Sequence, residues 1–280
     1  MTTHTLAVPG ARLHYEVRGA GPLLFIIGAP MDAGSFAPLA DALASDYTVV
    51  THDPRGISGS TLDDPEQDST PELRADDAAA ILGALGAESA DVFGSSGGAV
   101  TGLALVARHP GRVRTLVAHE PPLLELLPDV AEQRAATEGI IATFRRDGVG
   151  AAWGAFMANA GFDVGGGDGD GDSDGDGGAH TPPQGEPSEQ DLANSARFFL
   201  HELRGTARYL PDFPALTTGP ARVVVGIGAE SSGLVTYRTS LALAQRLGTE
   251  PAQFPGDHGG FMGQPKEFAE TLRRVLRGES

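Results

Sequence analysis

Cysteine is missing altogether from this chain of 280 residues. Its absence excludes disulfides, thiolate zinc sites, iron–sulfur clusters and a cysteine nucleophile, so any covalent catalyst must attack through oxygen or nitrogen. Positive charge is scarce as well: 20 Lys and Arg stand against 37 Asp and Glu, a formal net charge of −17. A surface of that sign repels phosphate backbones and anionic lipid headgroups, which argues against nucleic-acid and membrane partners. No stretch reaches the roughly eighteen uninterrupted apolar residues of a membrane span. The opening MTTHTLAVPG lacks a basic region followed by an apolar run, and the expectation is a cytoplasmic protein.

Hydrophobic residues make up 40% of the chain, enough to build a substantial core. Their arrangement points to an α/β protein. Short strands are expected at Leu6 to Val8 and Arg12 to Val17, around the Pro9-Gly10 turn. Continuous apolar runs of strand length follow at Pro22 to Gly28, Tyr47 to Thr51, Ala90 to Phe93, Val113 to Ala118 and Arg222 to Ile227. Such runs suit strands buried on both faces of a parallel sheet. Helical spacing lies between most of them, at 36–43, 70–85, 97–108, 235–247 and 266–276. Thr70, Pro71 and Glu72 form a helix start, with a hydroxyl cap, a proline at the first position and an early acid.

Between Pro121 and about Thr218 the strand signal disappears and helical spacing takes over. The expected organisation is therefore a core of residues 1–122 and 218–280, with residues 123–217 inserted as a helical cap. Within the insertion, GGGDGDGDSDGDGG at 165–178 carries five aspartates and no apolar residue, and is read as a disordered loop. From Asp170 it partly matches a calcium loop, but position twelve is Thr181 rather than Glu and no helix leads into it, so diffuse cation attraction is the favoured reading.

The chemically decisive segment is ADVFGSSGGAV, 90–100, where an apolar strand runs into Gly94-Ser95-Ser96-Gly97-Gly98 and then into a helix. A G-x-S-x-G turn of this kind exposes the central hydroxyl, here Ser96, above the sheet, and the new helix supplies free N–H groups where negative charge would develop. Of eight histidines, only His258 sits in a Gly-rich loop at the C-terminal edge of the expected sheet, within FPGDHGGF, 254–261. The third member of a Ser-His-acid set has two candidates. Glu230 follows the strand ending at Ile227 and is preferred; Glu120, in HEPP at 119–122, is the alternative, with Asp257 behind both.

On these motifs the chain resembles the α/β-hydrolase superfamily over nearly its whole length. Gly28-Ala29-Pro30 resembles the family's oxyanion loop, and Asp53-Pro54-Arg55-Gly56-Ile57-Ser58-Gly59-Ser60 its D-x-R-G-x-G-x-S segment. The resemblance implies an eight-stranded, mostly parallel sheet with helices on both faces, a helical cap inserted after the sixth strand, and a Ser-His-acid triad. It also implies oxyanion donors at the Gly97 and Ala29 N–H groups. Two positions depart from the pattern: Ile27 stands where a histidine is usual, and Glu230-Ser231 replaces the usual aspartate pattern. Arg55 is expected to pair structurally with Asp53 rather than with a substrate carboxylate. Met31, Ser95, Trp153 and Phe261 are candidate pocket residues, since they follow the catalytic loops or overhang them.

The reaction implied is hydrolysis of a small to medium, largely apolar ester or lactone through an acyl-enzyme, with a small-molecule substrate and no metal or organic cofactor. Carbon–carbon bond hydrolysis and cofactor-free perhydrolysis or haloperoxidase chemistry use the same nucleophile and base and stay open. A rival of another class is a non-catalytic scaffold that binds an apolar ligand.

Overall fold

The structure, a computed structural model, describes residues 1–162 and 187–279. The Gly/Asp-rich segment at 165–178, with its calcium-loop reading, lies outside the described residues. Among the described residues nine strands form one sheet: β1 (Thr2–Val8), β2 (Ala11–Arg18), β3 (Leu23–Ile27), β4 (Thr48–His52), β5 (Thr61–Leu62), β6 (Ala90–Ser95), β7 (Val113–His119), β8 (Arg222–Gly228) and β9 (Ala252–Phe254). Their order is β1-β2-β4-β3-β6-β7-β8-β9, with the two-residue β5 beside β2. Pairings β1/β2, β2/β4 and β2/β5 are antiparallel, and every pair from β4 to β9 is parallel.

The apolar runs become central strands because both faces are covered. Alternation along β3 sends Phe25 and Ile27 into one core, with Val92, Leu103, Ile81 and Leu243, and Leu24 and Ile26 into the other, with Leu39, Phe93, Phe268 and Leu272. The first core lies under α2 (Pro71–Ala84), α3 (Gly97–Arg108) and α9 (Val235–Leu247). The second lies under α1 (Ala37–Leu43) and α11 (Pro265–Arg277). Thr70 caps α2 by accepting from the Leu73 N–H.

Two strands extend or add to the sequence reading. β1 begins at Thr2, because the polar TTHT segment pairs with β2 along its length and His4 stacks on Tyr15 with ring centres 5.0 Å apart. β5 is too short to leave a periodic signal.

Between β7 and β8 every described element is helical: α4 (Val130–Asp147), α5 (Val149–Ala160), α6 (Glu189–Arg197), a π-helical turn (Phe198–Glu202), α7 (Leu203–Ala207) and α8 (Phe213–Thr218), after a short 3-10 turn at Leu124–Leu126. This insertion has its own apolar cluster of Ile140, Ile141, Ala152, Phe198, Phe199 and Leu203, with Trp153 stacked on Phe198. The remaining short helix, α10 (Gly260–Gly263), follows the loop that carries His258. No described helix is long and apolar enough to cross a membrane.

Candidate active site

Ser96 sits between β6 and α3 with φ 56° and ψ −125°, a positive-φ conformation that a non-glycine residue holds only under surrounding constraint. The constraint is visible. The Ser96 N–H donates to the His119 carbonyl at the end of β7 (2.9 Å), and the start of α3 is drawn tightly onto the end of β3. A Cβ on Gly98 would lie 1.9 Å from the Ile27 carbonyl oxygen, and one on Gly94 would lie 2.6 Å from the Gly98 carbonyl oxygen. Backbone therefore occupies the space where side chains at these positions would sit, which explains why glycines flank the serine on both sides.

Ser96, Gly97, Ala29 and His258 all line one cavity of about 280 Å³. The Gly97 N–H, at the first position of α3, has no intrahelical partner. A Cβ on Gly97 would be 2.6 Å from the Ala29 oxygen, so the loop after β3 and the start of α3 converge beside Ser96.

The carboxylate that meets His258 is Glu120, not Glu230. The His258 Nδ1 lies 2.6 Å from Glu120 Oε2, and both groups are buried. Glu120 follows β7 directly. Its φ of 48° turns the side chain across the neighbouring strand end, where Oε1 accepts from the Gly228 N–H (2.9 Å) and Oε2 from the Thr236 hydroxyl (3.0 Å). Burial pushes the Glu120 carboxyl up, but the hydrogen bond from His258 and the favourable electrostatics of that pairing outweigh it and hold the group down at about 2. Glu230 is exposed instead: its backbone N–H is tied to the Gly256 carbonyl (3.0 Å), in the turn after β8, and its side chain faces solvent. Asp257 accepts from the Gly259 N–H (2.8 Å) and so closes its own turn.

Other expected residues divide. Met31 and Trp153 line the cavity. Ser95 and Phe261 do not. Ser95 is one step along the strand from Ser96, and its hydroxyl lies 3.4 Å from His119 Nδ1 in the interior. Phe261 is core, stacked on Phe36 with centres 4.7 Å apart. Arg55 pairs not with Asp53 but with Asp77, in a buried bidentate bridge of 2.6 and 2.7 Å. Asp53 is already engaged by the Ala33 and Gly59 N–H groups, and thereby braces the loop after β3.

Several lining residues carry no signal in the sequence, among them Thr236, Asn159, Thr206 and Glu202. Thr236 opens α9 and touches both Glu120 and, at 3.5 Å, His258; nothing in local sequence distinguishes it from a helix-start threonine. Beneath the site His119 stacks on His258 with ring centres 6.2 Å apart, and burial lowers its imidazole to about 4, so it is neutral. Among the described residues no group of three or more His, Asp or Glu is placed to hold a metal ion.

Comparison with known proteins agrees with this architecture. A profile of the alpha/beta hydrolase fold matches residues 21–162. The uncharacterized hydrolase YraK of Bacillus subtilis (strain 168) is 35% identical over 282 residues, covering 98% of this chain and 96% of that protein. Among solved structures, a thermophilic esterase from Thermogutta terrifontis superposes with a TM-score of 0.75 at 18% identity, covering 99% of both chains. An enol-lactonase from Burkholderia xenovorans LB400 does so with a TM-score of 0.63 at 17% identity, covering 98% of this chain and 100% of that one. With its sheet order, its serine turn between β6 and α3 and these matches over its length, the chain belongs to the α/β-hydrolase fold family.

Proposed function

We propose that this protein is a serine hydrolase that cleaves small to medium, largely apolar esters or lactones through an acyl-enzyme. The observation that carries the reading is the shared cavity wall of Ser96 and His258, with His258 held from behind by the buried, ionised Glu120. In this reading His258 takes the Ser96 proton as the oxygen attacks the substrate carbonyl. Glu120 fixes the imidazole with its proton on Nδ1 and stabilises the charged form. The Gly97 and Ala29 N–H groups receive the developing oxyanion. His258 then protonates the leaving alcohol, and a water molecule deprotonated by the same imidazole releases the acid. In a lactone, alcohol and acid leave as one molecule.

The cavity supports the substrate class. Its walls are mostly apolar, from Leu124, Ile140, Phe156, Phe162, Phe198 and Val235, and its volume of about 280 Å³ suits a modest acyl or ring group. We assign the helical insertion, residues 123–217, the role of a cap, because α4, α5, the π-helical turn and α7 all contribute residues to the cavity that Ser96 also lines. The hydrolase name of the Bacillus relative and the esterase and lactonase names of the structural neighbours point the same way.

The test is hydrolysis of short-chain p-nitrophenyl esters and simple lactones by the purified protein and by Ser96→Ala. The expected result is turnover by the wild type and a loss of about a thousandfold or more in the variant. Full activity in Ser96→Ala would contradict the assignment.

A further inference from the structure

The cavity contains one acid that hydrolysis does not use. Glu202 is the single carboxylate among the described lining residues and is only 1% exposed. It ends the π-helical turn Phe198–Glu202, a widened helical geometry often found where a helix serves a site, and it stands between Phe199 and Leu203 of the apolar cluster of the insertion. One oxygen is engaged: Oε2 lies 3.5 Å from Arg74 Nη1. The other, Oε1, is buried and has no hydrogen-bond partner among the described residues. Leaving such an acceptor unmatched costs about 1–3 kcal/mol, and more when it is charged; because Glu202 lines the cavity, a small rotation of its side chain would turn Oε1, sealed from the cavity in this structure, onto a ligand donor.

The surroundings define the chemistry of that group. Arg74 is anchored where it lies, by bonds to the Thr101 hydroxyl (3.0 Å), the Ser69 carbonyl (2.9 Å) and the Thr206 hydroxyl (2.8 Å), so reaching Oε1 would cost it contacts it already makes. A cation is disfavoured, since Arg74 already balances the carboxylate at close range and Arg197 adds a second positive charge nearby. An anion is disfavoured by the carboxylate itself. A neutral donor fits both constraints.

Resting on the serine-hydrolase reading, we infer that Glu202 is a specificity-determining residue, whose Oε1 accepts a hydrogen bond from a neutral hydroxyl or amide N–H carried by the substrate away from its scissile ester. The apolar walls would then hold the hydrocarbon part and Glu202 the polar end. Burial pushes the Glu202 carboxyl up while Arg74 opposes the rise, which is consistent with a group built to meet a neutral partner rather than solvent.

The experiment compares p-nitrophenyl esters with isosteric acyl chains ending in methyl, hydroxyl, primary amide or ammonium, on wild type, Glu202→Gln and Glu202→Leu. The wild type is expected to favour the hydroxyl or amide ester over the methyl ester in kcat/KM by about 10- to 100-fold, the range of one hydrogen bond to a charged group. That ratio should collapse in Glu202→Leu and survive in part in Glu202→Gln, whose carbonyl still accepts; which of the two esters leads tells hydroxyl from amide recognition. A ratio unchanged by Glu202→Leu, or a preference for ammonium, would overturn the inference. If Glu202→Leu does not fold because Arg74 loses its counter-charge, the wild-type ratio decides: a methyl ester preferred to both donors overturns it. Turnover of the methyl ester without a donor preference sinks only the inference. If no ester is turned over, the serine-hydrolase reading falls, and the calorimetric affinities of wild type for the matching carboxylic acids decide whether Glu202 selects a donor.

Discussion

Glu120 holds a backbone conformation that costs about 1–2 kcal/mol for a residue with a side chain, and the surrounding contacts sustain it. In that conformation its carboxylate reaches His258, the Gly228 N–H and the Thr236 hydroxyl together. If it serves as the triad acid, Glu120→Gln should lower kcat/KM by about 10²- to 10⁴-fold, because the amide no longer fixes the tautomer or offsets the imidazolium charge. Glu230→Gln, on the exposed turn, should change it by less than about twofold; steady-state kinetics of the two variants on one ester check both. Ser96 and His258 were legible in the sequence because each is embedded in glycines whose spacing has a steric meaning. The acid was not. Two glutamates follow adjacent parallel strands, and which one turns inward depends on the sign of one φ angle, which no local pattern around HEPP or GAES reveals.

At the scale of elements, the serine turn is held by the near contact of α3 with the end of β3. Gly98→Ala would drive a methyl group into the Ile27 carbonyl and is expected to destabilise the protein by at least about 3 kcal/mol in urea unfolding. The helical insertion has a separate apolar cluster, centred on the fully buried Phe199. Phe199→Ala should cost about 3–5 kcal/mol. Limited proteolysis should then cut first within α4 to α7, with the sheet core resisting longer, whereas equal cutting across the chain would contradict an independently packed insertion. Elements buried on both faces, such as β3, β6 and β7, could be read directly from their apolar runs. The N-terminal half of β1 and the two-residue β5 could not, since edge pairing with β2 rather than burial makes them strands. Glu202 was hidden for a related reason: a lone acid in FFLHE looks like a surface position until the π-helical turn and Arg74 carry it inside.

For the whole molecule, charge and buried histidine set the response to pH. His52 and His119 are both buried and both lowered by burial to about 4. Between pH 6.5 and 4 the unfolded chain takes up protons at these positions while the folded chain does not, so stability must fall as pH drops through that window, by on the order of 3 kcal/mol per imidazole. Urea midpoints across that range should decline steadily, and the double variant His52→Gln, His119→Gln should flatten the slope. A slope that the double variant leaves unchanged would place the titrating groups elsewhere. The net charge of −17 was plain from composition, as was the two-faced sheet; the neutral imidazoles were not, because the sequence shows a histidine but not the ring of phenylalanines, Phe93, Phe254 and Phe268, packed around His119.

If Ser96 is a nucleophile activated by His258 and Glu120, it should react with a fluorophosphonate, and labelling with peptide mapping is the decisive measurement. The wild type and Glu230→Gln should each yield a single labelled peptide, containing Ser96. Labelling should be sharply slowed in Glu120→Gln and absent in His258→Ala and Ser96→Ala. Labelling at another residue, or labelling of Ser96 at an unchanged rate without His258, would contradict that activation.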